Sequence, residues 1–596
     1  MAENDNESSP SAAEQSAQDQ TAPDQTAQDQ TAQDQTAQDQ TAQDQTAQDQ
    51  TASGQSTKAP QPGRPASRRD FLAGAGTAGV AAAVAVLATR ALGGTRPPAA
   101  AARVPGDAVF PGPILLTSAA SKPSSADWTA LKNTISTHKL YRPGEKGYST
   151  AKQLFEPRFD SLEPAGLAYC RTAADVAACL AFVRRYGLPV RVRSGGHSYA
   201  GWCSVTGGLV IDVSAMNSFT AGKGTVTVGS GLDLIHFYSN LASIGQAVPG
   251  GSCPTVGIAG LALGGGIGVI SRLHGVTSDH LESAQLVLAD GSVVTCDSGH
   301  DSGLLWACQG GGGGNFGVAA SFTFRTQPLR SLWRFFLEWP WSKADKVMSA
   351  WQAWAPHAPD ALWSNLHASA PFSSGSPAIS VGGTYVGTDA GLSGLLGDLY
   401  HSVGSNPSYA NSQEQSFLNV MLYEAGCSPV DACHTGPGGQ LTRVPSYAKS
   451  DFFHRPLDAS GINTMLSGIE KIPSIAGTSG GAGTIALDAC GGAMNNLKPG
   501  HTAFCHRDAL YVAQYSTVWT SPGTSGGVAN QHAWLRSYYN SMHPHANGQA
   551  YQNYIDPDLT DWETAYYGGN YSRLTTIKAS YDPTNLFSFP QSIRPA

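Results

Sequence analysis

The sequence predicts an α+β protein of two parts joined by a C-terminal segment. Its 596 residues exceed what one hydrophobic core usually holds, so we expect at least two domains. Up to about residue 331, short strand patterns alternate with helix patterns, and three of the strands meet glycine-rich loops. From Leu332 to about residue 535 the strand patterns lengthen and carry many Trp, Ser and Gly residues, which indicates a broad sheet. Residues 536–596 return to denser helix patterns.

The first 66 residues are predicted to be a disordered tail. They repeat the pentamer TAQDQ over residues 21–50 and hold 11 acidic side chains against Lys58 and Arg64. Such a segment has too little apolar surface to offset its ordering entropy. Residues 67–596 then hold 34 basic and 33 acidic side chains, a near balance that argues against a nucleic-acid partner.

Residues 67–102 are predicted to be a twin-arginine (Tat) export signal. Ser67-Arg68-Arg69-Asp70-Phe71-Leu72 carries the paired arginines, and the run from Leu72 to Ala88 is mildly apolar. A single membrane anchor is the alternative, but Ala and Gly dominate the run, so we expect no permanent membrane span. The small residues before Ala102 suggest cleavage there, which makes the Tat machinery a partner and the destination extracellular or at the cell surface.

The first part contains several elements with clear local signals. Thr172 is a candidate cap for a helix over Ala173–Tyr186, which Gly187 would end. A strand over Pro189–Val192 leads into "RSGGHS". Further predictions are a helix over Leu232–Ile244, a hairpin turning at Asp290-Gly291, a strand over Ala509–Tyr515 and a helix that Pro583 would end.

The ten cysteines fit an exported protein with few disulfides. Cys427 and Cys433 bracket a Pro-containing turn and could close a small loop, while Cys296 with Cys308 is a weaker candidate pair. The sequence shows no metal-ligand spacing, so no metal site is predicted. In "HTAFCHRD" we expect His506 to pack or to hydrogen bond rather than to bind a metal.

Two glycine-rich loops carry the candidate chemistry. Gly195-Gly196 and the run Gly264–Gly268 would let backbone N–H groups approach a pyrophosphate, although neither loop matches a Rossmann or Walker fingerprint. Tight turns alone would explain either loop by itself. Read together, they place His197 on the first loop and Cys253 inside the second, which extends from Gly250 to Gly268, and both side chains could reach one flat cofactor.

Four segments together resemble the berberine bridge enzyme-like family, whose members have the vanillyl-alcohol-oxidase-type, or PCMH-type, FAD-binding fold. The segments are "VRVRSGGHSYAGW", "GGSCPTVGIAGLALGGGIGVISRLHGVTSDHL", "LLWACQGGGGGNFGV", and "YQNYIDPDL" with "YDPTNLFSFPQSI". The resemblance covers about Asp127 to Ile593. It implies an FAD-binding domain of two α+β subdomains over 103–331, and a substrate domain with a large antiparallel sheet covered by helices over 332–535. Residues 536–596 would return to the FAD domain.

The resemblance also implies bicovalently bound FAD. His197 would bond the flavin 8α-methyl carbon and Cys253 would bond flavin C6, which would raise the flavin potential and hold the ring in an open site. The other residues implied to contact FAD are Arg193, Ser194, Gly195, Gly196, Ser198, Thr255, Gly257, Gly260, Gly264, Gly265, Gly268, Val318 and Tyr554.

For the catalytic base, the resemblance points to Tyr554, with Tyr551 as the alternative. A tyrosine of ordinary pKa is a poor base at neutral pH, so a cation or hydrogen bonds must lower its pKa, or it must pass its proton onward. Asp488 in "LDACGG" resembles the aspartate of glucooligosaccharide oxidases and could accept that proton, although it could instead bond a backbone turn. Many relatives have a tyrosine where this chain has Cys490, a departure that favours an Asp–Tyr site.

These inferences predict a secreted FAD-dependent oxidase that takes hydride from a carbohydrate alcohol or hemiacetal carbon. Oxygen would reoxidise the flavin and yield hydrogen peroxide, and Ile258 matches the branched residue associated with oxygen access. Sparse charge with 21 Tyr and 12 Trp suits a neutral, polyhydroxylated small molecule or oligosaccharide. The alternatives are a tailoring oxidase of a glycosylated or aromatic metabolite, and a non-catalytic FAD- or sugar-binding protein.

Overall fold

The computed structural model describes residues 121–372, 375–475, 477, 480–519 and 525–596. The predicted tail over 1–66 and the predicted export signal over 67–102 lie outside these residues, as does the run to residue 120. All of the described residues belong to one unit that extends from Ala66 to Ala596.

Eighteen strands in the described residues form four sheets. In chain order, β1 to β18 are Leu140–Tyr141, Gly166–Tyr169, Val190–Arg193, Leu209–Asp212, Phe219–Ala221, Thr225–Gly229, Gln246–Ala247, Leu281–Val287, Val293–Asp297, Val318–Arg325, Gln327–Pro328, Ser331–Trp339, Leu362–Pro371, Ala378–Tyr385, Tyr409–Ser416, Ser446–Phe453, Ala482–Ala489 and Tyr511–Val518.

The sheets differ in size and direction. A four-stranded sheet has the order β1-β2-β4-β3, with β4 parallel to both β2 and β3. A five-stranded antiparallel sheet has the order β5-β6-β10-β8-β9, and β7 pairs with β11. The seven-stranded antiparallel sheet has the order β15-β12-β14-β13-β17-β18-β16, and all of its strands come from residues 331–518. The predicted α+β class with a large antiparallel sheet is confirmed.

The α-helices of the described residues surround these sheets. In chain order, α1 to α14 are Ser125–Thr134, Tyr148–Ala151, Ala173–Tyr186, Leu234–Ser243, Ile258–Leu263, Ser271–His274, Ser302–Cys308, Ala344–Trp354, Asp389–Val403, Phe417–Ala425, Ala459–Glu470, Ser525–Met542, Trp562–Tyr567 and Tyr571–Tyr581. None of these helices has the length and apolar content that crossing a bilayer requires.

The local predictions in the first part are confirmed closely. Helix α3 has the predicted bounds: Thr172 and Asp175 form a reciprocal capping box, and Gly187 ends the helix at a φ of +61°. Helix α4 starts two residues later than predicted because the Asp233 side chain caps it. The hairpin β8–β9 turns at Asp290-Gly291 as predicted.

The seven-stranded sheet has one face toward a core and one toward a cavity. Leu366, Ile485 and Tyr515 point into a core cluster with helices α8, α9, α11 and α12, and Trp351 of α8 is fully buried there. Neighbouring positions on the same strands, such as Asn365, point the other way. The helices therefore cover one face and leave the other for binding.

The C-terminal segment packs against the first part of the chain. Leu574 and Ile577 of α14 join the core cluster that contains Phe316. The fully buried Lys578 ammonium donates to the Asn315 carbonyl at 2.6 Å and to Asp582 at 2.7 Å. The domain boundaries at 331 and 535 stay predictions, and these contacts join the C-terminal segment to the end of the first part.

Two predictions about cysteine and histidine chemistry are also resolved. Cys427 and Cys433 form a disulfide, whereas Cys296 and Cys308 are free thiols. The weaker pairing of Cys296 with Cys308 is therefore wrong: both are buried free cysteines, and the Cys296 thiol donates to the Ala284 carbonyl at 3.4 Å. His506 hydrogen bonds through Nδ1 to the Gln549 side chain at 2.8 Å, as expected for a structural histidine.

Candidate active site

A cavity of about 360 Å³ lies between the glycine loops and the open face of the seven-stranded sheet. This volume is within the usual range for small-molecule sites. His197, Cys253, Tyr551, Tyr554 and Asp488 all line it, although they are far apart in the sequence. The fold thus brings every predicted anchor and every predicted catalytic side chain to one place.

The two glycine loops touch backbone to backbone. A Cβ built on Gly195 would lie 2.3 Å from the Gly257 nitrogen, and one built on Gly257 would lie 1.9 Å from the Ser194 hydroxyl oxygen. The Ser194 hydroxyl donates to the Ser230 carbonyl at 2.8 Å. Glycine at 195 and 257 is therefore required for the loops to meet, which explains part of the glycine content without any ligand.

His197 is held in a fixed orientation on the first loop. Its Nε2 atom lies 2.8 Å from the Thr255 hydroxyl, and its ring stacks on Phe155 with centroids 4.1 Å apart. Burial lowers the pKa of His197 to about 3, so the imidazole is neutral at neutral pH. A neutral imidazole keeps a lone pair for bond formation.

Cys253 lies two residues before Thr255 and faces the same cavity. It is a free cysteine, and burial raises the pKa of its thiol to about 11. The side chain is therefore a neutral thiol at neutral pH, unlike a cysteine activated by a nearby cation.

Several glycines leave open backbone toward the cavity. A Cβ on Gly260 would meet no atom within 4 Å, and one on Gly313 would first meet the Gly260 Cα at 3.9 Å. Ser194, Gly195, Gly196, Ser198, Gly257 and Gly268 also line this space. A flat ring and a pyrophosphate can approach such a surface closely, so the residues present fit FAD.

Five residues predicted to contact the cofactor do not line the cavity but pack behind the residues that do. Arg193 is buried and pairs with Asp212 at 2.5 Å, and Thr255 holds His197. Val318 lies in the core at the start of β10. A Cβ on Gly264 would lie 1.9 Å from the Asn553 side chain, and one on Gly265 would lie 2.6 Å from the Phe504 ring.

Tyr551 fastens the C-terminal segment to the second glycine loop. Its hydroxyl oxygen accepts hydrogen bonds from the backbone nitrogens of Gly266 at 2.9 Å and Ile267 at 3.2 Å, and from the Asn553 amide at 3.0 Å. With three donors directed at it, this oxygen is committed to holding the loop.

Tyr554 is the more accessible of the two predicted bases. Its ring stacks on Tyr199 with centroids 5.8 Å apart and a 7° interplanar angle, and it meets the edge of Tyr551. Burial first, and then the charge of Asp488, raise the pKa of Tyr554 well above its ordinary value. The expected lowering of the pKa of Tyr554 is absent, so this phenol needs a partner to take its proton.

Asp488 supplies a group that titrates near neutrality. It sits on β17 opposite Asn365 of β13, and burial raises its pKa to about 7. The Asp488 side chain makes no hydrogen bond with another described residue, so the alternative that it bonds a backbone turn is not what the structure has. Cys490 is buried in an apolar cluster that also contains Phe452 and Tyr551.

Sequence reasoning missed three polar residues at the sheet end of the cavity. Glu424 of α10 is 4% exposed, His367 of β13 is 6% exposed, and Gln514 of β18 donates to the Tyr199 hydroxyl at 2.9 Å. The only available signal for Glu424 was the single acid in the largely apolar "FLNVMLYEA". Within the described part of the chain, no three His, Cys, Asp or Glu side chains lie close enough to hold a metal ion.

Comparison with known proteins finds relatives over most of the described chain. Residues 164–297 match the model of the FAD binding domain, and residues 550–594 match the model described as berberine and berberine like. The uncharacterized FAD-linked oxidoreductase YgaK of Bacillus subtilis is 31% identical over 435 residues, which are 72% of this chain and 91% of the relative.

Two further relatives have a more specific description. Chitooligosaccharide oxidase of Gibberella zeae is 30% identical over 451 residues, 73% of this chain and 88% of the relative. The solved structure of the wild-type BBE-like 1 of Physcomitrella patens matches with a TM-score of 0.71 and 30% identity, covering 78% of this chain and 99% of that one.

Proposed function

Because the chain belongs to the berberine bridge enzyme-like family of FAD-linked oxidoreductases, we propose that it is an exported oxidase of carbohydrates. It would oxidise an alcohol or hemiacetal carbon, with the anomeric C1–OH as the expected position, and oxygen would be reduced to hydrogen peroxide. The observation that carries this proposal is the single cavity in which the glycine loops face Tyr554, Asp488 and a polar sheet face.

The residues for holding FAD are those on the two glycine loops. His197 and Cys253 are proposed as the two covalent anchors because both line one cavity: the imidazole is neutral and keeps a lone pair, and the thiol would give up its proton as its sulfur bonds the flavin. Because Thr255 engages Nε2 of His197, we assign the bond to Nδ1. The open backbone at Ser194–Gly196, Gly260 and Gly313 would lie against the pyrophosphate and ring. When bound, FAD supplies an acceptor for hydride and a donor of electrons to oxygen.

The proton of the substrate hydroxyl is assigned to the Tyr554–Asp488 pair. The raised pKa of Tyr554 prevents it from holding a negative charge at neutral pH, whereas Asp488, with a pKa of about 7, is partly ionised there. With substrate bound, Tyr554 would accept the proton as it passes its own toward Asp488, with which it forms no hydrogen bond in this structure, so that no phenolate accumulates. Tyr551 is assigned a positioning role because its hydroxyl oxygen already accepts three hydrogen bonds.

The open face of the sheet suits a polyhydroxylated ligand. Alternate residues of the four strands β13, β16, β17 and β18 present side chains to the cavity. Amide, imidazole and hydroxyl groups are among them: Asn365, His367, Gln514 and Ser516. Trp363 and Tyr199 add aromatic surfaces on which a sugar ring can stack. The relative described as a chitooligosaccharide oxidase supports a substrate of this kind.

The second candidate function is a tailoring oxidase acting on a glycosylated or aromatic metabolite. The aromatic side chains that line the cavity favour it, since Phe155, Trp202 and Phe589 would accommodate an aglycone as well as a sugar. Export by the Tat pathway, predicted from residues 67–102, remains part of the proposal for either function.

Peroxide release across a panel of neutral oligosaccharides and aromatic glycosides tests the proposal. Oxidation of oligosaccharides, with one peroxide formed for each product molecule, supports the proposal of a carbohydrate oxidase. Turnover of aromatic glycosides alone favours the second function. A protein that holds FAD but whose flavin does not bleach with any member of the panel contradicts both, and supports a binding protein.

A further inference from the structure

Glu424 is a buried acid that the proposed reaction does not use. It lies on α10 between the apolar side chains of Met421 and Ala425, which pack into the core. The residue is only 4% exposed, yet its side chain lines the cavity. No hydrogen bond or ion pair joins its carboxyl group to another residue that the structure describes. An unpartnered buried carboxyl group is costly unless something else binds it.

Asp488 lines the same cavity and lies close enough to act electrostatically on Glu424. Burial, and then the nearby Asp488 charge, raise the pKa of Glu424 to about 8, while the Arg334 guanidinium acts in the opposite direction. Arg334 is already engaged, because it stacks over Tyr423 at 4.0 Å and donates to Asn411 at 2.9 Å. It does not line the cavity, so the two carboxyl groups have no cation between them.

The cavity lining holds little positive charge. Arg191, on β3 next to the first glycine loop, is the one arginine among the described lining residues, and no lysine accompanies it. His367 also faces the cavity without a hydrogen bond from another described residue, and burial lowers its pKa to about 4, so it is neutral. Three of the described acids line the cavity, and one of them, Glu156, already has Arg158 and Ser446 as partners. The two acids without such partners are Glu424 and Asp488, and they are presented to the ligand with a neutral imidazole.

We infer that Glu424 and Asp488 form an acidic subsite that selects sugars carrying a free amine over the same sugars with that nitrogen acylated or replaced by a hydroxyl. This inference rests on the proposed carbohydrate oxidation and narrows its substrate class. An ammonium group at this subsite supplies the cation that the two carboxyl groups lack, and a charge-assisted hydrogen bond in a buried site is stronger than a neutral one. A ligand carboxylate, such as that of a uronic acid, is repelled there.

Binding of the amine also has a proton signature. An ammonium beside the pair favours the ionised form of Glu424, which is otherwise protonated at neutral pH. An amine that is already protonated in solution therefore displaces the Glu424 proton to the buffer when it binds, whereas a neutral sugar causes no release. The charged groups that face Glu424 are Asp488 and Arg334, and both remain in place during this exchange.

The test compares three tetrasaccharides of equal length, the β-1,4 oligomers of glucosamine, of N-acetylglucosamine and of glucose, at pH 6.5. We expect kcat/KM for peroxide release to be at least about 10-fold higher for the free amine than for either neutral sugar. In Glu424→Gln, the ratio of kcat/KM for the amine sugar to kcat/KM for the neutral sugar falls by at least about 10-fold. Glu414→Gln removes an exposed acid on β15 outside the cavity and is the matched control, with an unchanged ratio.

A binding arm separates this inference from the proposed function. The methyl glycosides of glucosamine and glucose disaccharides have a blocked anomeric position and are titrated calorimetrically in two buffers of different ionisation enthalpy. If the wild-type protein binds the amine sugar more tightly and releases a proton, and both effects diminish in Glu424→Gln, the subsite is supported even if no peroxide forms. Turnover of neutral sugars with no amine preference and no proton release overturns the subsite and leaves the oxidase intact.

Discussion

The Nε2 atom of His197 lies 2.8 Å from the hydroxyl oxygen of Thr255, and this contact joins two glycine loops whose contacting residues are 58 positions apart. It fixes the histidine ring relative to Cys253, which is two residues from Thr255. The pair of proposed FAD anchors is therefore positioned by one hydrogen bond and by the backbone contact of Gly195 with Gly257.

Both anchors are expected to hold the flavin independently. Denatured, acid-precipitated wild-type protein should stay yellow, and so should His197→Ala and Cys253→Ala, each of which retains one bond. The double variant should release its flavin into the supernatant. Loss of all attached flavin from either single variant would show that the two bonds do not form independently.

Removing the Thr255 hydroxyl should impair attachment through histidine. In a Cys253→Ala background, where His197 is the remaining anchor, Thr255→Val lets the imidazole rotate and lowers the fraction of flavin that survives denaturation several-fold. Thr255→Ser keeps the hydroxyl and should behave as the background does. The measurement is flavin absorbance in the pellet, and equal retention in Val and Ser variants contradicts the positioning role.

Activity should depend on ionisation of Asp488. The acceptor form is the carboxylate, so kcat/KM should rise with pH through about 7, the pKa that burial gives this group. Asp488→Asn should lower kcat/KM by about 100-fold or more and abolish this rise. A pH profile of Asp488→Asn that keeps the same rising limb would assign it to another group.

Glu424→Gln should stabilise the protein at high pH and not at low pH. The pKa of Glu424 is raised from 4.5 to about 8, so between these values the unfolded chain ionises while the folded chain does not, and wild-type stability falls as pH rises. Glutamine does not titrate and avoids this loss, which reaches a few kcal/mol. The difference in melting temperature between variant and wild type should grow from pH 5 to pH 8, and a constant difference would contradict the burial of an acid here.

Gly257→Ala should destabilise the loop contact. The added methyl would lie 1.9 Å from the Ser194 hydroxyl oxygen and 2.5 Å from the Gly195 nitrogen, and overpacking of this kind costs about 1–3 kcal/mol. Gly303→Ala in helix α7 meets nothing within 4 Å and should keep or raise the melting temperature. Thermal unfolding followed by circular dichroism compares the two, and equal melting temperatures would show that the loops can separate without cost.

Features of the fold and of the site that depend on local signals could be predicted from the sequence alone. Helix α3 could be bounded to the residue because its cap, Thr172, and its stop, Gly187, act on the adjacent turn of backbone. His197 and Cys253 could be identified because they lie on glycine-rich loops, which indicate a close backbone approach. Asp488, Tyr551 and Tyr554 were identified through the family resemblance. The contacts of Arg193 with Asp212 and of Gly264 with Asn553 could not be predicted, because the partners in each contact are distant in the chain.

Only the tertiary structure decided which groups meet in the cavity and in what ionisation state. The seven-stranded sheet has a strand order unlike its chain order, so no spacing in the sequence indicates that Glu424 of α10 comes to face Asp488 of β17. Burial then sets the charges: it raises the pKa of Tyr554, Asp488 and Glu424 and lowers that of His197. Residue types fix which chemistry is possible, and the desolvation that folding imposes determines which protons are present to perform it.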